Sequence, residues 1–396
     1  MTRQEIYSSC QEAMAKSNVL LLESATGTGK SKTSIDLVNW ITDAVYKDHK
    51  PKMLLLVAKR VHKQTWQDEF KKWGGINCDV TMECYESLHK HTSEYFEFIV
   101  MDECHHIGSE ARIDALKTLK YGYIIGLSAT IPLKIKQFFK YHYHAQVVSC
   151  DIIEAIDSDV LPEPTILLFP LQVENSRMSE TIEINPKAGG PIFYGEYKDK
   201  WKCRNENRHA ILKCTQKQKL IEINKLVEWG KDKVKNGNPR MRQTWLRYCG
   251  IRLKFLADCK LPWVKMILKH LNKERTITFC NTIAQTEQLG KNCIHSQNKN
   301  ATKIYNDFNS KKINHITAVN ILNENANLVD CKYAVFANLS SSEVVIPQRL
   351  GRAMRHKSPV IVFPYYKGTR EEEILNKMLE GFNRGYIKII HSISEI

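Results

Sequence analysis

Two short segments in the first third of the chain carry residue types suited to phosphate and metal chemistry. The first reads Ser-Ala-Thr-Gly-Thr-Gly-Lys-Ser over residues 24–31, and the second reads Met-Asp-Glu-Cys-His-His over residues 101–106. Glycines let backbone N–H groups wrap a phosphate, and a neighbouring lysine can reach the β- and γ-phosphates of a nucleotide. Paired carboxylates can hold Mg²⁺ and polarise a water molecule. Together the segments predict a site for hydrolysis of a nucleoside triphosphate.

Each segment follows an apolar run with the length of a buried strand. Residues 19–24 read VLLLES and lead through the glycines into the helical pattern TSIDLVNWI, while residues 98–101 precede the two carboxylates. Strand, glycine loop and helix is the order that phosphate binding needs, since the helix N-terminus adds partial positive charge. Open α/β sheets bind ligands at the carboxyl ends of their strands. The two segments are therefore expected at one sheet edge.

Individual roles follow from this placement. Lys30 is expected to reach the phosphates, Ser31 and Asp102 to ligate Mg²⁺, and Glu103 to act as general base. Ser24 departs from the general pattern, which begins with glycine, and a glycine- and serine-rich turn with an incidental lysine is the alternative. The other predicted nucleotide contacts in this segment are Thr26, Gly27, Thr28, Gly29 and Thr33.

Two further segments complete an ordered set. Gly-Leu-Ser-Ala-Thr occupies residues 126–130, and Gln-Arg-Leu-Gly-Arg-Ala-Met-Arg occupies residues 348–355. With the glycine loop and the Asp-Glu-Cys-His box, this set resembles a superfamily 2 helicase of the DExH type. It is most similar to the motor cores of phage recombination and repair helicases and of type I and III restriction enzymes. The resemblance covers nearly the whole chain and implies ATP and Mg²⁺ as cofactors and nucleic acid as partner.

The resemblance assigns roles in the later segments. It implies that Gln348 contacts the γ-phosphate or the attacking water, and that Arg352 and Arg355 are arginine fingers. An arginine fork suits the charge that spreads over the γ-phosphoryl oxygens in the transition state. A basic helical face for nucleic acid or solvent fits the same spacing. Asn327 stands where the family places a ribose contact, although Asn325 replaces the family's glycine two residues earlier.

Further roles come from the resemblance alone. It implies that His105, Ser128 and Thr130 relay the nucleotide state to the nucleic-acid groove, and that Gln4 reads adenine, although a single glutamine is usually an exposed surface residue. The resemblance also implies nucleic-acid contacts, for which exposed residues without a ligand and ordinary strand-end capping are the alternatives. Those contacts are Lys59, Arg60, Tyr85, Ser87, Asn281 and Thr282.

Positive charge is concentrated in one stretch of the chain. The whole chain has a formal net charge of +15, and residues 187–260 hold 19 Lys/Arg and 7 Asp/Glu, a net charge of +12. Apolar residues recur at helical spacing over residues 217–234 and 241–258, with an Asn-Gly-Asn-Pro turn between them. This predicts a basic helical hairpin that clamps a nucleic-acid backbone or, alternatively, packs on the motor domains as a solvated pair. We favour the clamp, because so large an excess of positive charge destabilises the folded state by self-repulsion unless a bound polyanion neutralises it.

The predicted architecture is α/β, with two RecA-like doubly wound parallel-sheet domains in tandem and a basic helical insertion between them. The first domain is expected over residues 1–150, the linker and insertion over residues 151–260, and the second domain over residues 261–396. Scattered cysteines without a CxxC pair, no signal-peptide pattern and no long apolar run indicate a cytoplasmic protein, in the host cytoplasm if viral. A monomer without membrane contact is expected, with a protein partner allowed for.

The sequence thus predicts an ATP-dependent nucleic-acid helicase or translocase, with DNA favoured over RNA by analogy and largely sequence-independent binding. Unwinding, annealing or branch remodelling in replication, recombination or repair fits this prediction. An RNA helicase or remodeller would share every segment, and a translocase that does not separate strands stays open. A nucleotide-switched binding protein with poor turnover is the alternative from another class, suggested by Asn325.

Overall fold

Two parallel sheets, one in each half of the chain, are built from the short apolar runs. The computed structural model describes residues 1–184, 202–204, 209–319, 328–339, 350–351, 354 and 356–396. In the first half the elements are α1 (Arg3–Lys16), β1 (Val19–Ser24), α2 (Lys30–Val45), β2 (Lys52–Val57), α3 (Arg60–Lys72), β3 (Asp79–Cys84), β4 (Tyr95–Asp102), α4 (Glu110–Thr118), β5 (Lys120–Ser128), α5 (Leu133–Tyr143) and β6 (Gln146–Cys150).

The first sheet has the strand order β3-β2-β4-β5-β1-β6, and all of its pairings are parallel. Alternate residues of β1 enter different cores: Leu20 and Leu22 pack on one face, and Val19 and Leu21 pack on the other. Helices α1 to α3 cover the first face, and α4 and α5 cover the second. Burial on both faces explains why the strands are apolar runs without alternation.

The second half of the chain contains the remaining elements. They are α6 (Ile152–Asp157), β7 (Thr165–Leu171), β8 (Glu180–Ile184), β9 (Lys202–Arg204), β10 (His209–Cys214), α7 (Gln216–Lys235), α8 (Arg242–His270), β11 (Thr276–Cys280), α9 (Ile283–Leu289), β12 (Cys293–Ile294), α10 (Ala301–Asn309), β13 (His315–Val319), β14 (Tyr333–Phe336), β15 (Val360–Tyr366), α11 (Arg370–Met378) and β16 (Ile387–Ile389). Their main sheet is parallel, with the order β12-β13-β11-β14-β15-β7-β16. The predicted fold class, two RecA-like α/β domains, is confirmed.

The predicted assignment of all of residues 151–260 to the linker and insertion, with the second domain beginning at residue 261, needs correction. Strand β7 lies inside the second sheet, between β15 and β16, although it precedes the insertion in the chain. Helix α8 runs through residue 260 without a break and packs Val264 and Ile267 on the same sheet. Residues 165–171 and the second part of α8 therefore belong to the second domain. The reason is that their apolar faces complete its core.

The insertion consists of a small antiparallel sheet, β8-β10-β9, and the helical hairpin α7–α8. The predicted hairpin is confirmed, and its second helix is longer than expected. The helices cross closely at Gly230, where an added Cβ would lie 3.2 Å from the Trp245 Cα. At its base the hairpin buries Leu220, Ile223 and Leu256 against the second sheet. The apolar residues that recur at helical spacing in the hairpin thus form a face that packs against the second domain.

A fully buried ion pair ties α8 to the far side of the second domain. The Lys260 ammonium lies 2.5 Å from a Glu371 carboxylate oxygen, at the start of α11, and donates to the Pro364 carbonyl at 3.2 Å. The other Glu371 oxygen accepts from the Tyr366 N–H at 3.1 Å. Since each charge has hydrogen-bond partners, its burial is tolerated.

The eleven cysteines whose side chains the structure describes are all free. None of the helices in the described part of the chain combines the length and apolar character that a membrane span requires.

Candidate nucleotide site

Three neighbouring strands of the first sheet end at the site. In the order β4-β5-β1, register pairs Asp102 with Leu127 and Glu23 with Ser128. Parallel strands present their carboxyl ends at one edge, so the segments that follow β1, β4 and β5 must meet there. The structure thus brings together the glycine loop (residues 24–31) and the acidic box (residues 101–106), as predicted, and adds the Ser-Ala-Thr segment (residues 128–130) to them.

The glycine loop is braced by its own side chains. The Ser24 hydroxyl lies 2.6 Å from the Thr28 hydroxyl, which also donates to the Ala25 carbonyl at 2.8 Å. The Lys30 ammonium donates to the Ser24 carbonyl at 2.7 Å and reaches the Ala25 carbonyl at 3.3 Å. Ser24, which departs from the usual pattern, therefore has a structural role, because its hydroxyl holds Thr28 on the other side of the loop.

The loop has the features of an anion site. Gly27 and Gly29 have positive φ angles of 101° and 103°, a conformation that side chains disfavour. Gly29 is the N-cap of α2, and because glycine lacks a side chain, the first-turn N–H groups are left for a ligand. The Thr26 hydroxyl is buried and makes no hydrogen bond with any described residue. An orphaned hydroxyl beside uncapped N–H groups fits a bound triphosphate.

Asp102 is held from two sides. Its carboxylate accepts a hydrogen bond from the Trp66 indole N–H at 3.0 Å, and its carbonyl accepts one from the Tyr85 hydroxyl at 2.8 Å. Asp102 is 5% exposed. The Asp102 carboxylate and the Ser31 hydroxyl, which belong to segments that meet at the same sheet edge, are oxygen donors of the kind that Mg²⁺ favours. The residues present therefore fit the implied metal.

Glu103 adopts a left-handed backbone conformation, with φ 52° and ψ 57°. For a residue other than glycine this conformation costs about 1–3 kcal/mol and is typical of functional sites. The side chain is 4% exposed. One of its oxygens accepts from the Ser128 hydroxyl at 3.2 Å and lies 3.4 Å from the His105 Nδ1, which itself lies 3.0 Å from the Ser128 hydroxyl. The predicted general base and two predicted coupling residues thus form one cluster.

The third predicted coupling residue, Thr130, joins this cluster through its backbone. Its carbonyl accepts from the Ser128 hydroxyl at 2.8 Å. The next N–H, of Ile131, donates to the Glu23 carboxylate at 2.7 Å, and the same carboxylate binds Lys136. Sequence reasoning missed Glu23. A carboxylate in an otherwise apolar buried strand was the available signal.

Cys104 and Gly126 explain how the acidic box sits against β5. A Cβ at Gly126 would lie 2.7 Å from the Leu21 side chain and 3.3 Å from the Cys104 Sγ. Glycine is therefore needed where the box crosses the strand. Burial raises the pKa of the Cys104 thiol well above its ordinary value, so this cysteine is a packing residue rather than a nucleophile.

The second domain reaches the glycine loop at Gly351. A Cβ at this position would lie 2.6 Å from the Thr26 Cβ and 2.8 Å from the Thr26 carbonyl oxygen. Gly351, which lies in the segment predicted to supply the arginine fingers, thus contacts the glycine loop, and the sequence analysis did not predict a role for it. Five predicted residues lie outside the described part of the chain: Gln348, Arg352, Arg355, Asn325 and Asn327.

The predicted nucleic-acid contacts of the first domain divide into two groups. Lys59 and Arg60 are exposed where α3 begins, just past the carboxyl end of β2, and Ser87 is half-buried. The prediction for Tyr85 is wrong, since its ring is 1% exposed. Burial raises the pKa of Tyr85 well above its ordinary value, so the hydroxyl keeps the proton that it donates to Asp102.

The remaining predicted residues occupy helix starts. Thr282 is the N-cap of α9, and its hydroxyl accepts from the Gln285 N–H at 3.3 Å, which is the capping role weighed as the alternative. Asn281 is half-buried beside it, after β11. Gln4 is exposed in the first turn of α1, and Thr33 is buried in the first turn of α2.

Two family comparisons match this chain, one in each half. The helicase conserved C-terminal domain matches residues 259–357, and the type III restriction enzyme res subunit family matches residues 76–133. Both matches support a superfamily 2 helicase. No curated protein matches it.

Solved structures resemble this chain at low sequence identity. The helicase domain of Pyrococcus furiosus Hef is 14% identical, with 95% of this chain and 97% of that chain covered and a TM-score of 0.48. S. cerevisiae Dbp5 bound to RNA and ADP BeF3 is 12% identical, with 94% and 85% covered and a TM-score of 0.57. A point variant of Dbp5 with the same ligands is 12% identical, with 98% and 93% covered and a TM-score of 0.57. The likeness to Dbp5 shows the shared fold.

The contact at Gly351 generates a prediction. In Gly351→Ala the new methyl group would overlap Thr26, so the second domain must withdraw from the glycine loop. A displacement of this kind at a catalytic cleft lowers turnover by about 10- to 100-fold. The measurement is steady-state ATP hydrolysis with saturating nucleic acid. Gly250→Ala is the matched control, because nothing lies within 4 Å of its added Cβ. Wild-type turnover in Gly351→Ala would contradict the contact.

Proposed function

We propose that this protein is an ATP-dependent nucleic-acid motor whose hydrolysis site lies at the carboxyl ends of β1, β4 and β5. The observation that carries the proposal is the cluster of Glu103, Ser128 and His105, in which one carboxylate oxygen contacts both other side chains. A general base tied to the segment after β5 cannot move without moving that segment. This is the arrangement that coupling of hydrolysis to a conformational change requires.

The chemical roles follow from the contacts. Lys30 would leave the loop carbonyls and bind the β- and γ-phosphates, while the uncapped N–H groups of α2 hold the phosphates from below. Ser31 and Asp102 would hold Mg²⁺, which supplies charge neutralisation at those phosphates when bound. Glu103 accepts the proton of the attacking water, and the Ser128 hydroxyl orients its carboxylate. The γ-phosphoryl transition state would be completed by Gln348, Arg352 and Arg355.

Nucleic acid is the proposed partner, and DNA the proposed polymer. Support for DNA comes from the match to the type III restriction enzyme family and from the resemblance to phage recombination and repair helicases. Exposed Lys59 and Arg60 lie at the same sheet edge as the nucleotide site, where they can contact backbone phosphates. Backbone contacts of this kind give largely sequence-independent binding. The free cysteines fit a cytoplasmic protein, and we propose that it acts as a monomer.

The tip of the α7–α8 hairpin is the proposed second nucleic-acid contact. Residues 233–257 contain seven Lys/Arg and no Asp/Glu. At the tip the cations Lys233, Lys235, Arg240, Arg242 and Arg247 are exposed. The exposed Trp229 ring packs edge-on against Tyr248 beside them, which offers an aromatic surface for stacking. An uncompensated cationic tip on a hairpin whose base is fixed by packing suits a clamp on a polyanion.

The general-base role of Glu103 is tested with Glu103→Gln. Loss of a general base lowers turnover by about 10²- to 10⁴-fold while ATP binding is retained. The measurement is steady-state ATP hydrolysis alone and with single-stranded DNA, duplex DNA or RNA, and we expect the strongest stimulation by single-stranded DNA. Glu110→Gln, at an exposed position in α4, is the control.

Other results of the ATP hydrolysis measurement would contradict particular parts of the proposal. Stimulation by RNA alone would replace the proposed polymer and make the protein an RNA helicase or remodeller. ATP binding without turnover in the wild type would overturn the motor and favour a nucleotide-switched binding protein. Full turnover in Glu103→Gln would remove Glu103 from the chemistry.

The clamp is tested by neutralising its tip. The triple variant Arg240→Gln, Arg242→Gln, Arg247→Gln should bind nucleic acid more weakly, and the slope of log affinity against log salt should fall in magnitude by about two to three. The measurement is fluorescence anisotropy of a labelled strand over a salt series. The control removes three exposed lysines near the other end of α8, namely Lys265, Lys269 and Lys273. Equal slopes in both triple variants would contradict the clamp.

A further inference from the structure

Trp66 connects two parts of the first domain that have different ligands. It lies in α3, six residues beyond Arg60, which is about 9 Å along the helix axis. The start of that helix carries the exposed cations Lys59 and Arg60. Trp66 itself is 3% exposed and packs its ring against Phe70, with ring centroids 5.6 Å apart. One helix therefore bears both a surface for phosphates and a side chain inside the domain.

The indole N–H of Trp66 is directed at the acidic box. It donates to the Asp102 Oδ2 at 3.0 Å, and both partners are buried. Hydrogen bonds to a charged acceptor in a buried place are short, strong and sensitive to angle and distance. The opposite side of Asp102 is fixed separately, because the Tyr85 hydroxyl holds its backbone carbonyl at 2.8 Å. With the backbone carbonyl held by Tyr85, the indole is a direct contact that holds one carboxylate oxygen in place.

We propose that Trp66 is a positioning residue that transmits the state of the nucleic-acid surface at Lys59 and Arg60 to the Mg²⁺ ligand Asp102. The inference rests on the proposed motor function and adds to it a specific route between the two ligands. Phosphates that draw the start of α3 outward would move the indole with the helix, and the Asp102 carboxylate would turn with it. Nucleic acid thereby alters the affinity of the site for Mg²⁺ and nucleotide.

Thermodynamic linkage makes the route measurable without hydrolysis. If nucleic acid tightens binding of the metal–nucleotide pair, that pair must tighten binding of nucleic acid by the same factor. Removal of the indole N–H should reduce this factor towards one. It should also raise the Mg²⁺ concentration needed for nucleotide binding by about 10-fold, the effect typical of losing a hydrogen bond to a metal ligand.

A core residue without this role would behave differently. Trp66→Phe keeps an aromatic ring beside Phe70 and removes the donor, but it also changes the packing. A second variant therefore replaces Trp66 with benzothienylalanine, in which sulfur replaces the N–H and the shape is kept. Trp73→Phe is the matched control, since Trp73 follows the same helix and donates its indole N–H to the partly exposed Glu69 at 2.7 Å.

The experiment measures two quantities in the full chain. The first is the Mg²⁺ midpoint for binding of a fluorescent ATP analogue. The second is the affinity for labelled single-stranded DNA, or for RNA if RNA stimulates hydrolysis, with and without Mg²⁺ and a non-hydrolysable ATP analogue. Both Trp66 variants should show the raised midpoint and a coupling factor reduced at least about fivefold towards one, whereas Trp73→Phe should match the wild type. Nucleic-acid affinity without nucleotide should stay unchanged.

The possible failures are distinguishable. A wild-type midpoint and a wild-type coupling factor in the benzothienylalanine variant would overturn the role of Trp66 and leave the motor function standing. A raised midpoint with unchanged coupling would overturn the transmission step, because Trp66 would then only hold the metal ligand. A wild type that shows no coupling and no stimulated hydrolysis would overturn the proposed function together with the inference.

Discussion

Register between three parallel strands is the constraint on which the site depends. Because β5 lies between β4 and β1, the residues that end these strands must meet, and Ser128 comes opposite Glu23 and next to the acidic box. A slip of one residue in this register would turn Ser128 to the other face of the sheet. It would also separate the Glu103 carboxylate from the hydroxyl that orients it. Because both faces of the sheet are buried and close-packed, a slipped strand would leave voids and clashes, and this packing fixes the register.

Strain and buried charge are concentrated where the strands end. Glu103 holds a left-handed conformation that an ordinary loop would relax, and Asp102 is buried beside it. Both are sustained by contacts from elsewhere in the domain: Ser128 from β5, Trp66 from α3 and Tyr85 from the segment after β3. Each of these elements is therefore in direct hydrogen-bond contact with the acidic box. The second domain adds its own contact, at Gly351 against the phosphate loop.

Much of this arrangement was predictable because it rests on local patterns. The glycine loop and the acidic box each follow an apolar strand, and parallel strands end at one edge, so the placement of both segments at one sheet edge is predictable from the sequence. Contacts between distant side chains were not predictable. The helical spacing around Trp66 indicates burial, yet nothing in it indicates that the indole faces Asp102. The family resemblance assigns Tyr85 to the nucleic-acid surface, whereas its ring is buried and its hydroxyl contacts Asp102.

The domain boundaries failed for a related reason. Strand β7 ends at residue 171, whereas its neighbours β15 and β16 begin at residues 360 and 387, and pairing at such separation leaves no local signal. The hairpin was predicted from its periodicity, but that periodicity does not indicate which domain its apolar face covers. In the structure the face covers the second sheet, so the basic tip is anchored to the domain that carries Gly351.

We propose that closure of the second domain onto the glycine loop, where Gly351 meets Thr26, gates hydrolysis, and this proposal can be tested directly. Its most direct test is a distance measurement between spin labels at Tyr141 in α5 and Lys312 after α10, whose side chains are 80% and 72% exposed. The labels would enter through unnatural amino acids, since the chain has 12 cysteines. A non-hydrolysable ATP analogue with nucleic acid should shift the distance by more than about 2 Å and narrow its distribution. An identical distribution in the free, nucleotide-bound and doubly bound states would contradict the account.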